Sequence, residues 1–236
     1  MRPIEKWIYS KYNTIIAITP LVKENLVKWL SEINTVTVIK SGINLQQFEL
    51  MKEEMVSADY SLFDSESYNI LMVGRFNYEK DQSTLVVALS ILPDRYKIFF
   101  VGEGEQMDRI KQKVIDLNLS NRVHFLGFRT DVYSLMSLTD LNVLSTNHEG
   151  LSGVALESMA SGRPFIGSDV EGVNDVVPDE AFLFPKSDPE GLAKKIMEVS
   201  VNKELEDHLT TKGLEHVKVF DMDNMVENYL NAYDSL

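Results

Sequence analysis

The sequence predicts an α/β protein built on a doubly wound, Rossmann-like parallel sheet. Short apolar runs alternate with amphipathic segments along most of the chain, as expected when strands and helices alternate. Most of the runs are continuously apolar, which is typical of parallel strands whose two faces are both covered by helices. The 236 residues, of which 44% are hydrophobic, are enough to form a full core.

The main sheet is predicted to contain six strands. Their apolar runs lie near residues 69–74, 97–102, 122–126, 140–145, 164–168 and 181–184. Helices are predicted between these runs, because apolar residues recur there at helical spacing. One such stripe consists of Leu85, Val86, Leu89 and Leu92, and another of Met107, Ile110, Val114 and Leu117. Asp188-Pro189 is a helix start signal, and two more helices are predicted near 202–218 and 222–234.

The first 40 residues show a separate pattern. A strand is predicted at 14–18, a helix over 20–30 and a second strand at 36–39. One strand–helix–strand unit cannot bury both faces of its sheet by itself. Apolar area is therefore expected at the surface of these strands and of Trp29, which favours pairing with another subunit or self-association. Peripheral contact of this basic, Trp-containing segment with an anionic membrane is an alternative, but burial in a core is the preferred interpretation.

The composition and the motifs of the sequence argue against several classes of function. The net charge of −13 argues against nucleic acid as a partner. The absence of cysteine excludes disulfides and Cys-based metal sites, and it fits a cytoplasmic location. No signal peptide pattern and no membrane-spanning run are found. Gly102-Glu103-Gly104 lacks the third glycine of a dinucleotide fingerprint, so it predicts a tight turn. No metal-ligand spacing is shown by His124, His148, His208 and His216.

The candidate site lies where the strand at 140–145 ends. The run that follows contains Glu149 in a Gly-containing turn and Glu157 in the helix that the turn opens, beyond its first turn. A helix start presents unpaired N–H groups and a positive dipole end, which together attract phosphate. One carboxylate can face a ligand ahead of the helix and the other a ligand beside it. This arrangement suits a nucleotide-sugar, which has hydroxyls at both ends of a diphosphate.

The spacing of these glutamates, with seven residues between them, resembles the Glu-x7-Glu signature of the retaining GT-B glycosyltransferases of family 4. Other motifs of that family follow in the same order over nearly the whole chain. They are Ser41-Gly42-Ile43-Asn44 with Phe48, Val73-Gly74-Arg75-Phe76, Glu79-Lys80, Val101-Gly102-Glu103-Gly104 and Phe125-Leu126-Gly127. The chain departs from the family pattern at Ser41, at Asp81, where glycine is frequent, and at Asp175, where glutamate is common.

The resemblance implies a domain organisation. Residues 1–44 correspond to a remnant of the acceptor-side N-terminal domain with the interdomain segment. Residues 45–236 correspond to the nucleotide-sugar-binding Rossmann-like domain with its C-terminal helices, the donor half of a GT-B fold. The rest of the acceptor-side domain has no counterpart in these 236 residues. The chain is therefore expected to be either a truncated product or one subunit of a split enzyme, with the acceptor half supplied in cis or in trans.

The resemblance also implies roles for individual residues. Arg75, Lys80 and Glu149 are expected to carry the chemistry: the two cations stabilise the diphosphate leaving group without a metal ion, and Glu149 holds the transferred sugar. Glu157 is expected to accept the ribose hydroxyls. The other residues expected to bind the donor are Gly74, Phe128, Arg129, Gly150, Leu151, Ser152, Gly153 and Val154. Among them, Ser152 is the expected helix N-cap. The expected donor is a UDP-sugar, with no cofactor and no metal.

Two functions of different classes remain open. The first is the donor-binding half of a retaining hexosyltransferase in surface polysaccharide or glycolipid synthesis, inactive without an acceptor domain. The second is a noncatalytic nucleotide-sugar-binding subunit of a split glycosyltransferase complex. Retention of Arg75, Lys80, Glu149 and Glu157 together favours the enzyme.

Overall fold

The structure is a computed structural model that describes residues 3–9, 11–30, 35–54 and 63–234. Its strands are β1 (Thr14–Ala17), β2 (Thr35–Val38), β3 (Tyr68–Val73), β4 (Tyr96–Val101), β5 (Val123–Phe125), β6 (Leu141–Leu144), β7 (Phe165–Ser168) and β8 (Leu183–Phe184). Its α-helices are α1 (Pro3–Tyr9), α2 (Pro20–Trp29), α3 (Leu45–Glu54), α4 (Gln82–Ile91), α5 (Met107–Asp116), α6 (Val132–Leu138), α7 (Gly153–Ala160), α8 (Pro189–Val201), α9 (Lys203–His216) and α10 (Met222–Asp234).

Contacts divide the chain into two compact units. One unit is Leu45–Lys218, and the other combines Met1–Asn44 with Val219–Leu236. The sequence-based division at residue 44 places helix 222–234 in the second domain, whereas the structure groups α10 with the first 44 residues. The domain assignments themselves stay predictions.

The larger unit contains the predicted doubly wound sheet. Its six strands are all parallel and run in the order β5-β4-β3-β6-β7-β8. The chain moves outward in one direction from β3 to β5 and in the other from β6 to β8, so that helices cover both faces. The side chains of β3 and β4 are almost entirely buried. This arrangement confirms the predicted fold class, and it places a switch in strand order between β3 and β6, where such sheets bind ligands at their carboxyl ends.

One predicted strand is shorter than expected. Within the run 181–184, only Leu183–Phe184 is a strand, and Glu180–Phe182 is a turn of 3₁₀-helix. The carboxylate of Asp179 accepts a hydrogen bond from the backbone N–H of Ala181 at 2.9 Å and thereby stabilises the turn. Phe182 and Phe184 are still buried in the core, as expected for this run. The apolar run therefore identified these two buried phenylalanines correctly, but not the backbone conformation of the first half of the run.

The smaller unit contains a two-stranded parallel sheet, in which β1 pairs with β2. Helix α2 packs on it, and its N-cap Thr19 accepts a hydrogen bond from Val22 N. The buried cluster consists of Ile15, Ala17, Leu26, Leu30 and Val36. These positions do not contribute to the apolar surface that was expected around the two strands, because α2 covers one face. Ile18 and Trp29 do remain exposed.

Helix α10 joins this smaller unit through the segment that resembles the interdomain motif. Ile43 donates its N–H to Phe220 O and accepts a hydrogen bond from Met222 N, at 2.8 and 2.9 Å. The backbones approach so closely that a Cβ on Gly42 would lie 2.8 Å from Met222 Cα. Glycine is thus required at position 42 by contact with the start of α10.

Among the residues that the structure describes, no helix combines the length and the apolar character that a membrane span needs.

Candidate functional site

The loop between β3 and α4 carries two of the expected site residues, Arg75 and Lys80. It is fixed from inside by Phe76, which is fully buried and packs edge-on against Phe100, and by Gln82, whose side-chain amide donates to Arg75 O at 3.0 Å. The loop therefore has a defined path at the carboxyl end of the central strand.

The neighbouring loop between β4 and α5 supports this path. Gly102 and Gly104 have φ angles of 130° and 155°, and a Cβ on either would lie within 2.3 Å of Gly74 O or Phe76 O. Phe76 N donates to Glu103 O at 2.9 Å. The two glycines are needed because the loops touch backbone to backbone. This agrees with the prediction of a tight turn.

The turn between β6 and α7 carries Glu149 and opens the expected phosphate-binding helix. Ser152 is the N-cap, as predicted, with its hydroxyl accepting from Ala155 N. Gly172, in the loop after β7, lies directly behind this turn: its carbonyl accepts from Ser152 N at 3.0 Å, and a Cβ there would lie 2.5 Å from Glu149 O. Gly172 was not among the residues predicted for the site. Its signal was a glycine in the turn after a predicted strand, which by itself predicts a turn and no site.

Lys80 and Glu149 form an ion pair that connects the two loops at the switch point. The distance between Lys80 Nζ and Glu149 Oε1 is 2.5 Å, and only 17% and 11% of the two side chains are exposed. Two charges this far from water are tolerated because each compensates the other. The stem of Lys80 lies close to Gly74, since a Cβ on Gly74 would be 3.5 Å from Lys80 Cγ and Cδ.

Arg75 lies apart from this pair at the rim of the site. Its side chain is 71% exposed and contacts the exposed Glu105 at 3.5 Å. Such a pair holds the guanidinium only weakly. Arg75 can therefore turn towards a bound anion with little loss of existing interactions.

Glu157 has a different partner. Tyr133, on α6, donates its hydroxyl to Glu157 Oε1 at 3.1 Å, and the Tyr133 ring packs on Phe48 with 4.1 Å between centroids. Burial raises the pKa of Glu157, and the hydrogen bond from Tyr133 only partly opposes this. Burial, followed by the charge of Glu157, raises the pKa of Tyr133 to about 12. Tyr133 could not be predicted as a site residue, because nothing in the local sequence pattern links it to a glutamate 24 residues later.

A cleft of about 350 Å³ lies beside Arg75 and includes the residues expected to meet the base. Among its lining residues are Gly74, Gly102, Glu103, Phe128 and Arg129. Phe128 is 75% exposed. The guanidinium of Arg129 is held by Asp131 through Nε at 2.8 Å, which lowers the pKa of Asp131. A planar, partly apolar group fits this cleft.

Other parts of the described chain fit a nucleotide-sugar less well. A larger cavity of about 540 Å³ lies after β7, but Asp169, Asp179 and Glu180 line it, and these carboxylates would repel a diphosphate. Within residues 3–9, 11–30, 35–54 and 63–234, no group of three or more His, Asp or Glu residues is arranged to hold a metal ion. Metal independence remains a prediction.

Known proteins are similar to this chain in sequence and in fold. Residues 58–216 match the family model described as glycosyl transferases group 1. The lipopolysaccharide core biosynthesis glycosyltransferase LpsE of Rhizobium meliloti is 31% identical over 169 residues, which cover 70% of this chain and 49% of that protein. The UDP-Gal:alpha-D-GlcNAc-diphosphoundecaprenol alpha-1,3-galactosyltransferase of Escherichia coli is 28% identical over 185 residues, which cover 72% and 46%. The chain thus spans about half the length of these two relatives.

Solved structures show the same architecture. The Anabaena protein Alr3699/HepE, in complex with UDP and glucose, superposes with a TM-score of 0.86 at 20% identity, covering 99% of this chain and 66% of that one. The sucrose-phosphate synthase of Thermosynechococcus elongatus superposes with a TM-score of 0.83 at 26% identity, covering 98% and 60%. These superpositions confirm the predicted Rossmann-like half of a GT-B fold, and the family model confirms the predicted likeness to group 1 glycosyl transferases.

Proposed function

The chain belongs to the glycosyl transferases group 1 family, and from that premise we propose that its unit Leu45–Lys218 binds a nucleotide-sugar donor. We propose further that the complete protein transfers the sugar to an acceptor with retention of configuration. The observation that carries the proposal is the Lys80–Glu149 pair at the switch point of the sheet. It places a cation and a carboxylate beside the start of α7, where a diphosphate can be bound.

The diphosphate is proposed to lie against the N-terminus of α7. Gly153 has open space where a side chain would project, so a phosphate oxygen can approach its backbone N–H and that of Val154. Lys80 exchanges its contact with Glu149 for one with a phosphate oxygen, and Arg75 adds a second charge from the rim. The exchange leaves the Glu149 carboxylate ready to accept hydrogen bonds from the sugar hydroxyls.

The nucleoside is proposed to occupy the other side of the site. Glu157 accepts the ribose hydroxyls, with Tyr133 holding one of its oxygens in place. The base lies in the cleft beside Phe128 and Arg129. The diphosphate, the ribose and the base thus each have proposed partners among the residues expected from the sequence.

The reaction follows from these positions. The bond between the sugar C1 and the diphosphate oxygen breaks, and a bond from C1 to the acceptor oxygen forms on the same face of the ring. Lys80, Arg75 and the α7 amides stabilise the charge that develops on the leaving diphosphate, which lowers the barrier without a metal ion. A phosphate oxygen of the leaving group accepts the proton of the acceptor hydroxyl, so that no separate protein base is needed.

The names of the relatives support a UDP-hexose donor and a surface glycan product. The E. coli relative is named for UDP-Gal and a diphosphoundecaprenol-linked acceptor, and the R. meliloti relative for the lipopolysaccharide core. Since the chain spans about half of these proteins, we propose that an acceptor-binding half, in cis or in trans, completes the enzyme. The proposed location is the cytoplasm, with peripheral contact at the inner membrane face. A noncatalytic donor-binding subunit of such a complex is the alternative.

Isothermal titration calorimetry tests donor binding. The chain is titrated with UDP, GDP and ADP, and at least one is expected to bind, both with and without EDTA. Arg75→Glu is expected to weaken binding more than EDTA does, because it reverses a charge at the diphosphate. The matched control is Lys97→Glu, which reverses a cation paired with Asp64 at the start of β4. Failure of all three nucleotides to bind, or loss of binding with EDTA alone, contradicts the proposed donor site.

A transfer assay separates the enzyme from the alternative. The chain alone is expected to transfer no sugar, and addition of a complementing acceptor half is expected to give transfer that Lys80→Ala abolishes. Binding of donor without transfer under both conditions supports the noncatalytic subunit. Transfer by the chain alone contradicts the need for an acceptor half.

A further inference from the structure

A second pocket lies beside the loop that carries Lys80. Its volume is about 230 Å³, and it is lined by parts of four segments: the β3–α4 loop with the start of α4, the start of α5, the β6–α7 turn and the residue before Asp188. The lining residues that matter here are Asn77, Tyr78, Asp81, Ser83, Arg109 and Ser187. It shares no lining residue with the cleft at Phe128. The two cavities are therefore separate.

The pocket is rich in hydrogen-bonding groups that are not used by the protein. Within the described part of the chain, the Ser83 hydroxyl and the Asn77 side-chain amide donor have no hydrogen-bond partner. Arg109 donates to Gln106 Oε1 through Nη1 alone, at 3.2 Å. Asp81 accepts from Thr84 through Oδ2, at 2.7 Å, and its other oxygen remains available. A ligand with several hydroxyl groups can satisfy both the donors and the acceptor.

The charges that line the pocket and the exposed aromatic ring at its edge indicate which chemical class of ligand fits. Arg109 and Asp81 contribute one charge of each sign, so an ionic ligand meets a like charge whichever sign it has. Tyr78 is 73% exposed at the edge of the pocket. Its ring offers a flat apolar surface, which suits the C–H face of a sugar ring, while the polar groups suit the hydroxyls at the edge of that ring. We propose that this pocket binds one neutral sugar residue of a glycan chain, at a site distinct from the donor.

The pocket is connected to Lys80 through the backbone of the same loop. Asn77 Oδ1 accepts a hydrogen bond from Lys80 N at 3.1 Å, and Asn147 donates to both Tyr78 O and Glu79 O. Asp81 and Ser187 both have positive φ angles, of 41° and 53°, and their side chains are 3.4 Å apart. A sugar held here therefore contacts the same loop that carries Lys80. If the proposed function is correct, glycan and UDP increase each other's affinity by the same factor, because such coupling is reciprocal.

The test uses the ¹⁵N-labelled 236-residue chain and NMR titration. The probes are methyl α-D-glucopyranoside, methyl α-D-galactopyranoside, maltotriose and, separately, inorganic phosphate. At least one glycoside is expected to shift the amide signals of Tyr78, Ser83 and Arg109 in a saturable way. Tyr78→Ala and Arg109→Ala are each expected to weaken that binding at least about tenfold. The matched control Lys113→Ala removes another cation of α5 and leaves the affinity unchanged.

Each outcome decides the proposal. Saturable shifts confined to the pocket and lost in both variants establish the sugar site. Absence of binding by every glycoside, shifts confined to the cleft at Phe128, or binding of phosphate alone overturns it. UDP titration of the same samples tests the proposed function independently, because Tyr78→Ala leaves the donor residues intact. Glycoside binding without UDP binding keeps the pocket and rejects the donor site, and the reverse result rejects the pocket alone.

Discussion

Glu149 and Glu157 belong to one turn and the helix that follows it, yet the structure surrounds their charges differently. Glu149 is compensated by the Lys80 cation at 2.5 Å, whereas Glu157 has the neutral hydroxyl of Tyr133 at 3.1 Å. For Glu149, burial of charge is balanced within the protein. For Glu157, burial is only partly balanced, and its pKa is raised. The comparison shows that two carboxylates of one motif can have different surroundings, one beside a compensating cation and one beside a neutral hydroxyl.

The largest expected effect comes from removing the cation that compensates the charge of Glu149. Lys80→Ala leaves the Glu149 carboxylate buried without its cation, and we expect a loss of stability on the order of 3 kcal/mol in urea unfolding. The control Lys97→Ala removes one member of a more exposed pair and is expected to cost less than about 1 kcal/mol.

A double variant sharpens this test. Lys80→Met combined with Glu149→Gln removes both charges and is expected to recover most of the stability but none of the UDP affinity. If Lys80→Ala destabilises no more than Lys97→Ala, the pair is not coupled as the structure indicates.

The next largest effect concerns Glu157, which has no compensating cation among the described residues, and its contribution to UDP binding. Glu157→Ala is expected to weaken UDP binding by about 1–3 kcal/mol, because the ribose hydroxyls would lose their proposed acceptor. Calorimetry measures the loss, and Glu198→Ala, an exposed carboxylate on α8, serves as the control. Equal UDP affinities of these two variants would contradict the proposed role of Glu157 in binding the ribose.

A pH series distinguishes the two carboxylates directly. Because the pKa of Glu157 is raised in the folded state, its stabilising contribution is present at low pH and is lost as pH rises through that pKa. Glu157→Gln does not titrate, so its stability relative to the native chain is expected to increase with pH over the same interval and then level off. UDP affinity of the native chain is expected to fall as pH is lowered through that interval, since the protonated carboxyl accepts poorly. A stability difference independent of pH would contradict the raised pKa.

The smallest expected effect is that of Tyr133→Phe. Loss of one hydroxyl hydrogen bond is expected to cost about 0.5–1.5 kcal/mol of UDP binding, because Glu157 becomes less well positioned. The hydrogen bond also opposes the effect of burial, so its removal is expected to raise the pKa of Glu157 further, and the pH dependence of UDP binding moves upward. Ser137→Ala on the same helix is the control. An unchanged pH profile would show that Tyr133 packs beside Glu157 without controlling its charge.

The sequence by itself determined the features that depend on near neighbours. Continuous apolar runs identified the strands of the sheet, and Ser152 as N-cap and Lys80 just before α4 were read from a few adjacent residues. These features could be predicted because their physical causes, helix capping and burial of an apolar stretch, act over a few positions in the chain. The order of the motifs also identified the family before any contact was known.

Only the tertiary structure decided which distant residues meet. Tyr133 reaches Glu157 from another helix, Gly172 supports Glu149 from another loop, and α10 joins the first 44 residues through Ile43. A tyrosine, a glycine or an amphipathic helix has the same local pattern whether or not such a partner exists. Partners are chosen by strand order and by packing of the whole core, which bring positions far apart in sequence to one edge of the sheet. The different surroundings of the two glutamates could therefore not be predicted, although both glutamates were.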